Sequence, residues 1–295
     1  MAIQQYTDIF YTENKDPFQA IDLYVPENRS TTGTKPELMV YIHGGCWRSE
    51  DKNGYVEFAK NFAALGEHPG KKQIAVAVVN YRLSNPGGTA KHPDHIVDCC
   101  NAVTFLFKNS EEYGFDPTRI HLIGHSAGGH LTGLMALDPP VEWWETKDPK
   151  SGLSIAESIR SVNGVAGMYD HHYIVGLDPD YLIFYTPNFG DDRNFWKGCC
   201  PSNAPFSEKH KKYVQGIYPP GFTPHGKPLL HVKYHLTISS MDELMMPEVS
   251  QHYAEHLKSL GILAGTNFDT DYGTHFGCLQ NPDMQQDMYD RLSKA

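Results

Sequence analysis

Gly124-His125-Ser126-Ala127-Gly128 sets a serine between glycines, after the apolar run Ile120 to Ile123 and before Leu131 to Leu137, a stretch that reads as helix. A serine on a sharp strand-to-helix turn is lifted clear of the backbone, and flanking glycines remove the Cβ atoms that would crowd it. The chemistry such a residue offers is nucleophilic attack on an acyl carbon. A second motif, His43-Gly44-Gly45-Cys46-Trp47, follows the buried-strand run Leu38 to Ile42. Acyl transfer puts negative charge on the former carbonyl oxygen. The backbone N–H groups of Gly44, Gly45 and Ala127 are the donors expected to hold it, each worth about 3 kcal/mol of barrier. The plainer reading is that the two glycines only make a turn; His-Gly-Gly after an early strand together with the serine turn after a later one favours catalysis.

A serine hydroxyl becomes a useful nucleophile when a base takes its proton and a carboxylate orients that base. With the serine on such an elbow, the acid follows a later strand and the histidine a loop before the last helix. The strand-like run Leu229 to Ile238 leads to Ser239-Ser240-Met241-Asp242-Glu243, and Thr266 to Thr270 leads to Asp271-Tyr272-Gly273-Thr274-His275. Ser126, Asp242 and His275 are therefore the expected triad. Glu243 is the nearest rival acid, and Asp170 a weaker one because its strand comes early. Among 16 histidines, His125 precedes the serine inside the turn, and His43 is expected to support the glycine loop.

These loops need strands and helices to position them. Ile21 to Val25, Leu38 to Ile42, Ile74 to Val79, Arg119 to Ile123 and Val162 to Ala166 read as strands, joined by the two already named. The continuous apolar run Ile74 to Val79 is of the kind buried on both faces of a parallel sheet. Asp94 to Lys108 carries apolar residues at helical spacing, Pro247 to Leu260 stops at Gly261, and Pro282 to Leu292 is a final helix. Alternation of this kind implies an α/β chain with a mostly parallel central sheet and helices on both faces. No internal repeat or linker divides residues 1–295, so one domain is expected. Two stretches break the alternation: Asp138 to Ser154, and Tyr169 to Pro228, which is rich in Tyr, Phe, Pro and Gly. An insertion at 169–228 is expected to cover the active site as a cap, the alternative being a surface excursion packed by its own aromatics.

Composition narrows the classes. The 295 residues are 40% hydrophobic and 12% aromatic, enough for a large core, and the net charge of −10 argues against nucleic acid or an anionic membrane as partner. No apolar run is long enough to span a bilayer, and the N-terminus has neither a basic start nor an apolar stretch, against a signal peptide. Of the six cysteines, Cys99-Cys100 and Cys199-Cys200 are adjacent doublets and Cys46 lies in the glycine motif. Reduced, buried thiols in a cytoplasmic protein are the expectation. His231 and His235 do not have zinc-site geometry, and neither metal nor cofactor is expected. The partner is a small-molecule acyl substrate; a homodimer is compatible with the sequence, which does not fix the oligomeric state.

These motifs resemble the α/β-hydrolase family that includes hormone-sensitive-lipase-like carboxylesterases and kynurenine formamidases (arylformamidases). The stretch His43 to Lys52 is similar to a formamidase pattern, His-Gly-Gly-Tyr-Trp followed by Arg-Ser-x-Asp-Lys, with Cys46 in place of the tyrosine. The run Gly124 to Leu131 and the pair His275-Phe276 are similar to formamidases as well, whereas Asn80-Tyr81-Arg82-Leu83 is equally common in esterases. The resemblance implies an α/β-hydrolase fold and hydrolysis of an N-formyl aryl amine, N-formylkynurenine giving kynurenine and formate in tryptophan catabolism. A carboxylesterase acting on short-chain or aryl esters uses the same machinery. Trp47 would then line the leaving-group side of the pocket or pack in the core, and Arg48 and Arg82 are candidates to meet a substrate carboxylate.

Overall fold

The computed structural model describes residues 2–27, 34–67, 70–84, 89–206, 217–220, 222–224 and 226–295. Eight strands form one sheet: β1 (Ile3–Phe10), β2 (Ala20–Pro26), β3 (Glu37–Ile42), β4 (Ile74–Val79), β5 (Ile120–His125), β6 (Ile159–Val165), β7 (Lys233–Thr237) and β8 (Leu263–Asn267), in spatial order β1-β2-β4-β3-β5-β6-β7-β8. β1 and β2 are antiparallel to their neighbours, and the pairs from β4 to β8 are all parallel. The described helices are α1 (Val56–Ala64), α2 (Asp94–Lys108), α3 (Ser110–Tyr113), α4 (Ala127–Leu137), α5 (Val141–Glu145), α6 (Ile155–Ser158), α7 (His171–Leu177), α8 (Leu182–Phe189), α9 (Arg193–Lys197), α10 (Pro247–Ser259) and α11 (Pro282–Ser293). This is the mostly parallel α/β architecture expected. Among the described residues no helix is long and apolar enough to cross a membrane.

The sheet interior explains why the middle strands read so cleanly. β3, β4 and β5 are buried along their whole length. Helices on both faces leave no polar face to alternate with. The edges differ from expectation. β1 has no counterpart among the expected strands: its pattern is interrupted at Asp8, φ 53°, where the register with β2 shifts between Tyr6 and Ile9. β7 is shorter than Leu229 to Ile238, because Leu229 donates to Ala136 of α4 instead of a strand and Leu230 is exposed. β8 lies three residues upstream of Thr266 to Thr270. Gly261, φ 75°, ends α10, and the chain enters the sheet directly behind it. Segment 169–228 contains α7, α8 and α9; its residues 207–216, 221 and 225 lie outside the described residues.

Candidate active site

β5 delivers Ser126 and α4 leaves from it. Ser126 has φ 54° and ψ −119°, a conformation that costs a non-glycine residue about 1–3 kcal/mol and persists where its surroundings enforce it. Here they do. Its N–H donates to Val165 O at 2.8 Å, and its carbonyl accepts from Gly129 at 2.9 Å and Met168 at 3.2 Å. The first turn of α4 lies against the end of β3, and a Cβ at Gly128 would stand 2.0 Å from Ile42 O. Gly128→Ala is expected to cost about 3 kcal/mol or more of stability, since the obstacle is backbone and cannot rotate away; a Tm within about 2 °C of wild type would contradict the packing.

The glycine loop closes on the serine from β3. A Cβ at Gly44 would sit 2.9 Å from Ser126 Cβ. No hydrogen bond from the Gly44, Gly45 or Ala127 N–H to another described residue is seen among the turns and loops, as donors kept for a ligand oxygen would require. The N-terminus of α4 adds its positive dipole end at Ala127. His43 supports the loop as expected: its Nδ1 lies 3.1 Å from Gly44 O and its ring stacks on Tyr81 at 4.5 Å.

Asp242 and His275 arrive on the loops after β7 and β8. Asp242 Oδ2 is 2.8 Å from His275 Nδ1, and both side chains are buried. The other carboxylate oxygen, Oδ1, accepts from the N–H groups of Leu244 at 3.0 Å and Met245 at 2.7 Å. Burial pushes the Asp242 carboxyl up, but the His275 hydrogen bond and charge, with those two backbone donors, outweigh it and hold it below the ordinary value. Glu243, the alternative acid, has its Oε2 accepting from the backbone N–H of His275 at 2.9 Å. Asp170 caps α7 through the N–H of Tyr173 and accepts from Ser202. His125 Nε2 donates to His275 O at 2.9 Å, and the two rings lie 4.5 Å apart. Burial first, then the neighbouring His275, brings His125 down to about 3, so it stays neutral.

Trp47 corrects one expectation. It has no exposed surface and packs against His130, His171, Tyr185 and Phe189. Of the two options left open it takes core packing, and no substrate reaches its ring without that cluster opening. Arg82 is likewise committed, forked onto the buried Asp98 at 2.8 Å through Nε and Nη2 and paired with Asp94; Arg48 lies 5.8 Å from the Phe184 ring. The formamidase-like stretch ending at Lys52 anchors the loop. Asp51 accepts from Asn80 at 2.8 Å, and Lys52 is buried between Asp22 at 2.9 Å and Asp8 at 2.7 Å. Among the described residues no group of His, Cys, Asp or Glu could hold a metal ion, and all six cysteines are unbridged.

Residues 21–179, more than half of the chain, match the BD-FAE family. The chain belongs to the BD-FAE family, within the α/β-hydrolases. It is similar to a kynurenine formamidase of Aspergillus versicolor, 26% identical over 87% of this chain and 88% of that protein. It is also similar to an isoprenylcysteine alpha-carbonyl methylesterase of Arabidopsis thaliana, 30% identical over 54% of this chain and 34% of that one. The chain spans less than half the length of the plant methylesterases it matches. The crystal structure of esterase B from Lactobacillus rhamnosis superposes with a TM-score of 0.71 at 20% identity, over 99% of this chain and 86% of that one. That likeness shows the α/β-hydrolase fold.

Proposed function

We propose that this BD-FAE chain is a single-domain serine hydrolase that releases a small acyl group, with N-formylkynurenine as first substrate. The observation that carries the hydrolase reading is the 2.8 Å Asp242–His275 bond on the loops that follow β7 and β8, in the same molecule as a serine on a strained elbow beside three free N–H groups. The formamide preference is supported by the motif from His43 to Lys52 and by the formamidase similarity over nearly both whole chains.

In this mechanism Ser126 Oγ gives its proton to His275 Nε2 and attacks the formyl carbon. Asp242 stabilises the imidazolium while Gly44, Gly45 and Ala127 N–H groups hold the oxyanion. The C–N bond breaks as His275 returns the proton to the departing aniline nitrogen. His275 then takes a proton from water, the hydroxide attacks the formyl-serine, and formate leaves with Ser126 reprotonated. The described helices of segment 169–228, α7 to α9, are read as part of a cap over the site, and a cytoplasmic setting goes with this reading.

A carboxylesterase is the second reading, favoured by apolar side chains exposed beside the acid and base: Met241, Leu244 and Phe276, with Ile183 on α8. Steady-state hydrolysis of N-formylkynurenine beside p-nitrophenyl acetate and butyrate separates the two. A formamide kcat/KM at least about 100-fold above the esters, a gap of roughly 2.7 kcal/mol in transition-state binding, supports the formamidase. The reverse order assigns the esterase. Labelling by a fluorophosphonate at Ser126 is expected in both cases, and a chain that neither labels nor turns over is no serine hydrolase.

A further inference from the structure

The two glycine N–H groups can serve as donors only if something fixes their direction, and the loop that carries them is strained. Gly45, Cys46 and Trp47 have φ of 85°, 52° and 60° in succession, and the two that carry Cβ are costly in that region. A trans peptide unit points its C=O and N–H in opposite directions. The unit that carries the Gly44 N–H ends in the His43 carbonyl, and the unit that carries the Gly45 N–H ends in the Gly44 carbonyl. Whatever binds those two carbonyls aims those two donors.

One side chain meets both. Tyr81 Oη lies 3.1 Å from His43 O and 3.0 Å from Gly44 O, its single proton shared between them; His43 Nδ1 also reaches Gly44 O, at 3.1 Å, but not the His43 carbonyl. The tyrosine is fully buried directly after β4, and its ring stacks on His43. The following carbonyls of the loop are held separately: Cys46 O accepts from Asn188 Nδ2 of α8 at 3.2 Å, and Trp47 O from Ser84 N–H at 2.9 Å. Neither of these bonds touches the peptide units that bear the Gly44 and Gly45 donors.

We infer that Tyr81 is a positioning residue for the oxyanion hole, its hydroxyl turning the Gly44 and Gly45 N–H groups toward the reacting oxygen. The inference rests on the hydrolase reading above. Tyr81→Phe removes the hydroxyl and keeps the ring. Freed peptide units aim less well at a charge present only in the transition state, so kcat on p-nitrophenyl acetate falls about 10- to 100-fold while KM stays within about twofold. A trifluoromethyl ketone, which adds to the serine and presents an oxyanion, loses affinity by the same factor as kcat/KM. A purely structural tyrosine would lower Tm and leave the kcat of the folded enzyme unchanged, and that result overturns the proposal. A rise in KM at constant kcat overturns it too, because it would place Tyr81 in ground-state binding. Should the Phe variant not fold, Tyr81→His, whose ring nitrogens stop short of both carbonyls, takes its place with the same readings. A wild-type chain without turnover on any ester or formamide sinks the hydrolase reading and this proposal together; an active wild type with an unaffected Tyr81→Phe sinks this one alone.

Discussion

Replacing Ser126 by alanine is expected to lower kcat by about 10⁶-fold, and replacing Asp242 by asparagine by about 10⁴-fold, with both chains still folded. The second effect is the more telling. The introduced asparagine would keep one oxygen for the N–H groups of Leu244 and Met245, which now bond Asp242 Oδ1, so the loop stays in place. Its amide would then turn an N–H toward His275 Nδ1. That forces the imidazole proton onto Nε2, the nitrogen that must accept from the serine, and the base is lost without any change of shape. Glu243→Gln provides the contrast. The amide oxygen of glutamine still accepts from His275 N–H, the bond Glu243 makes at 2.9 Å, so kcat should stay within about threefold if only backbone support is at stake. Steady-state kinetics on one ester with Tm for each variant decides between them. An Asp242→Asn enzyme retaining about a tenth of wild-type kcat, or a Glu243→Gln enzyme losing about 10³-fold, would transfer the acid role to Glu243.

What could be read in advance follows from how strongly each element is constrained locally. Strands buried on both faces announce themselves: Ile74 to Val79 is β4 to the residue. Helix α2 is likewise Asp94 to Lys108, with an acidic start and a basic end that suit the helix dipole. The serine turn and the loops that carry Asp242 and His275 are legible because each is chained to a strand end. Edges are not. β8 alternates between half-buried and exposed residues, a pattern too weak to fix where an edge strand begins. For Trp47 the sequence leaves pocket and core side by side, and for Tyr81 it offers no role. One is committed to packing by rings from α4, α7 and α8, and the other by carbonyls far away in the chain. Spacing along a sequence carries no information about contacts of that kind.

The histidines carry the second large expectation, a loss of the fold in mild acid. His43, His92, His95, His125, His130 and His171 are all buried. Burial is the main cause in each case, and it brings His43 and His130 down to about 4, His95 and His125 to about 3, and His92 and His171 well below the ordinary imidazole value. In the unfolded chain the same rings titrate near about 6.5. Between about pH 6.5 and pH 4 the unfolded state therefore binds protons that the folded state refuses, and stability falls as pH falls. One unit below about 6.5 each ring contributes about 1.4 kcal/mol of loss, and six together about 8 kcal/mol, comparable with the whole stability of an ordinary domain. Asp98, whose carboxyl burial holds up despite Arg82, opposes this by a single group. Glu37, held down to about 2 even though burial pushes it up, because His121, Arg119 and Lys72 bond it, adds a further loss at lower pH. Tm is thus expected to drop steeply between about pH 7 and 5.5, with unfolding at 25 °C near about pH 5. His92 offers the sharpest check. Neither of its ring nitrogens has a partner among the described residues, and its ring lies among Phe189, Phe195 and Tyr218. His92→Phe should remove about one proton from the uptake on unfolding and raise stability at pH 5.5 by about 1 kcal/mol or more relative to its effect at pH 8. A Tm that stays flat down to about pH 4.5 would mean that these rings are protonated in the native fold, and the burial described for them would be wrong.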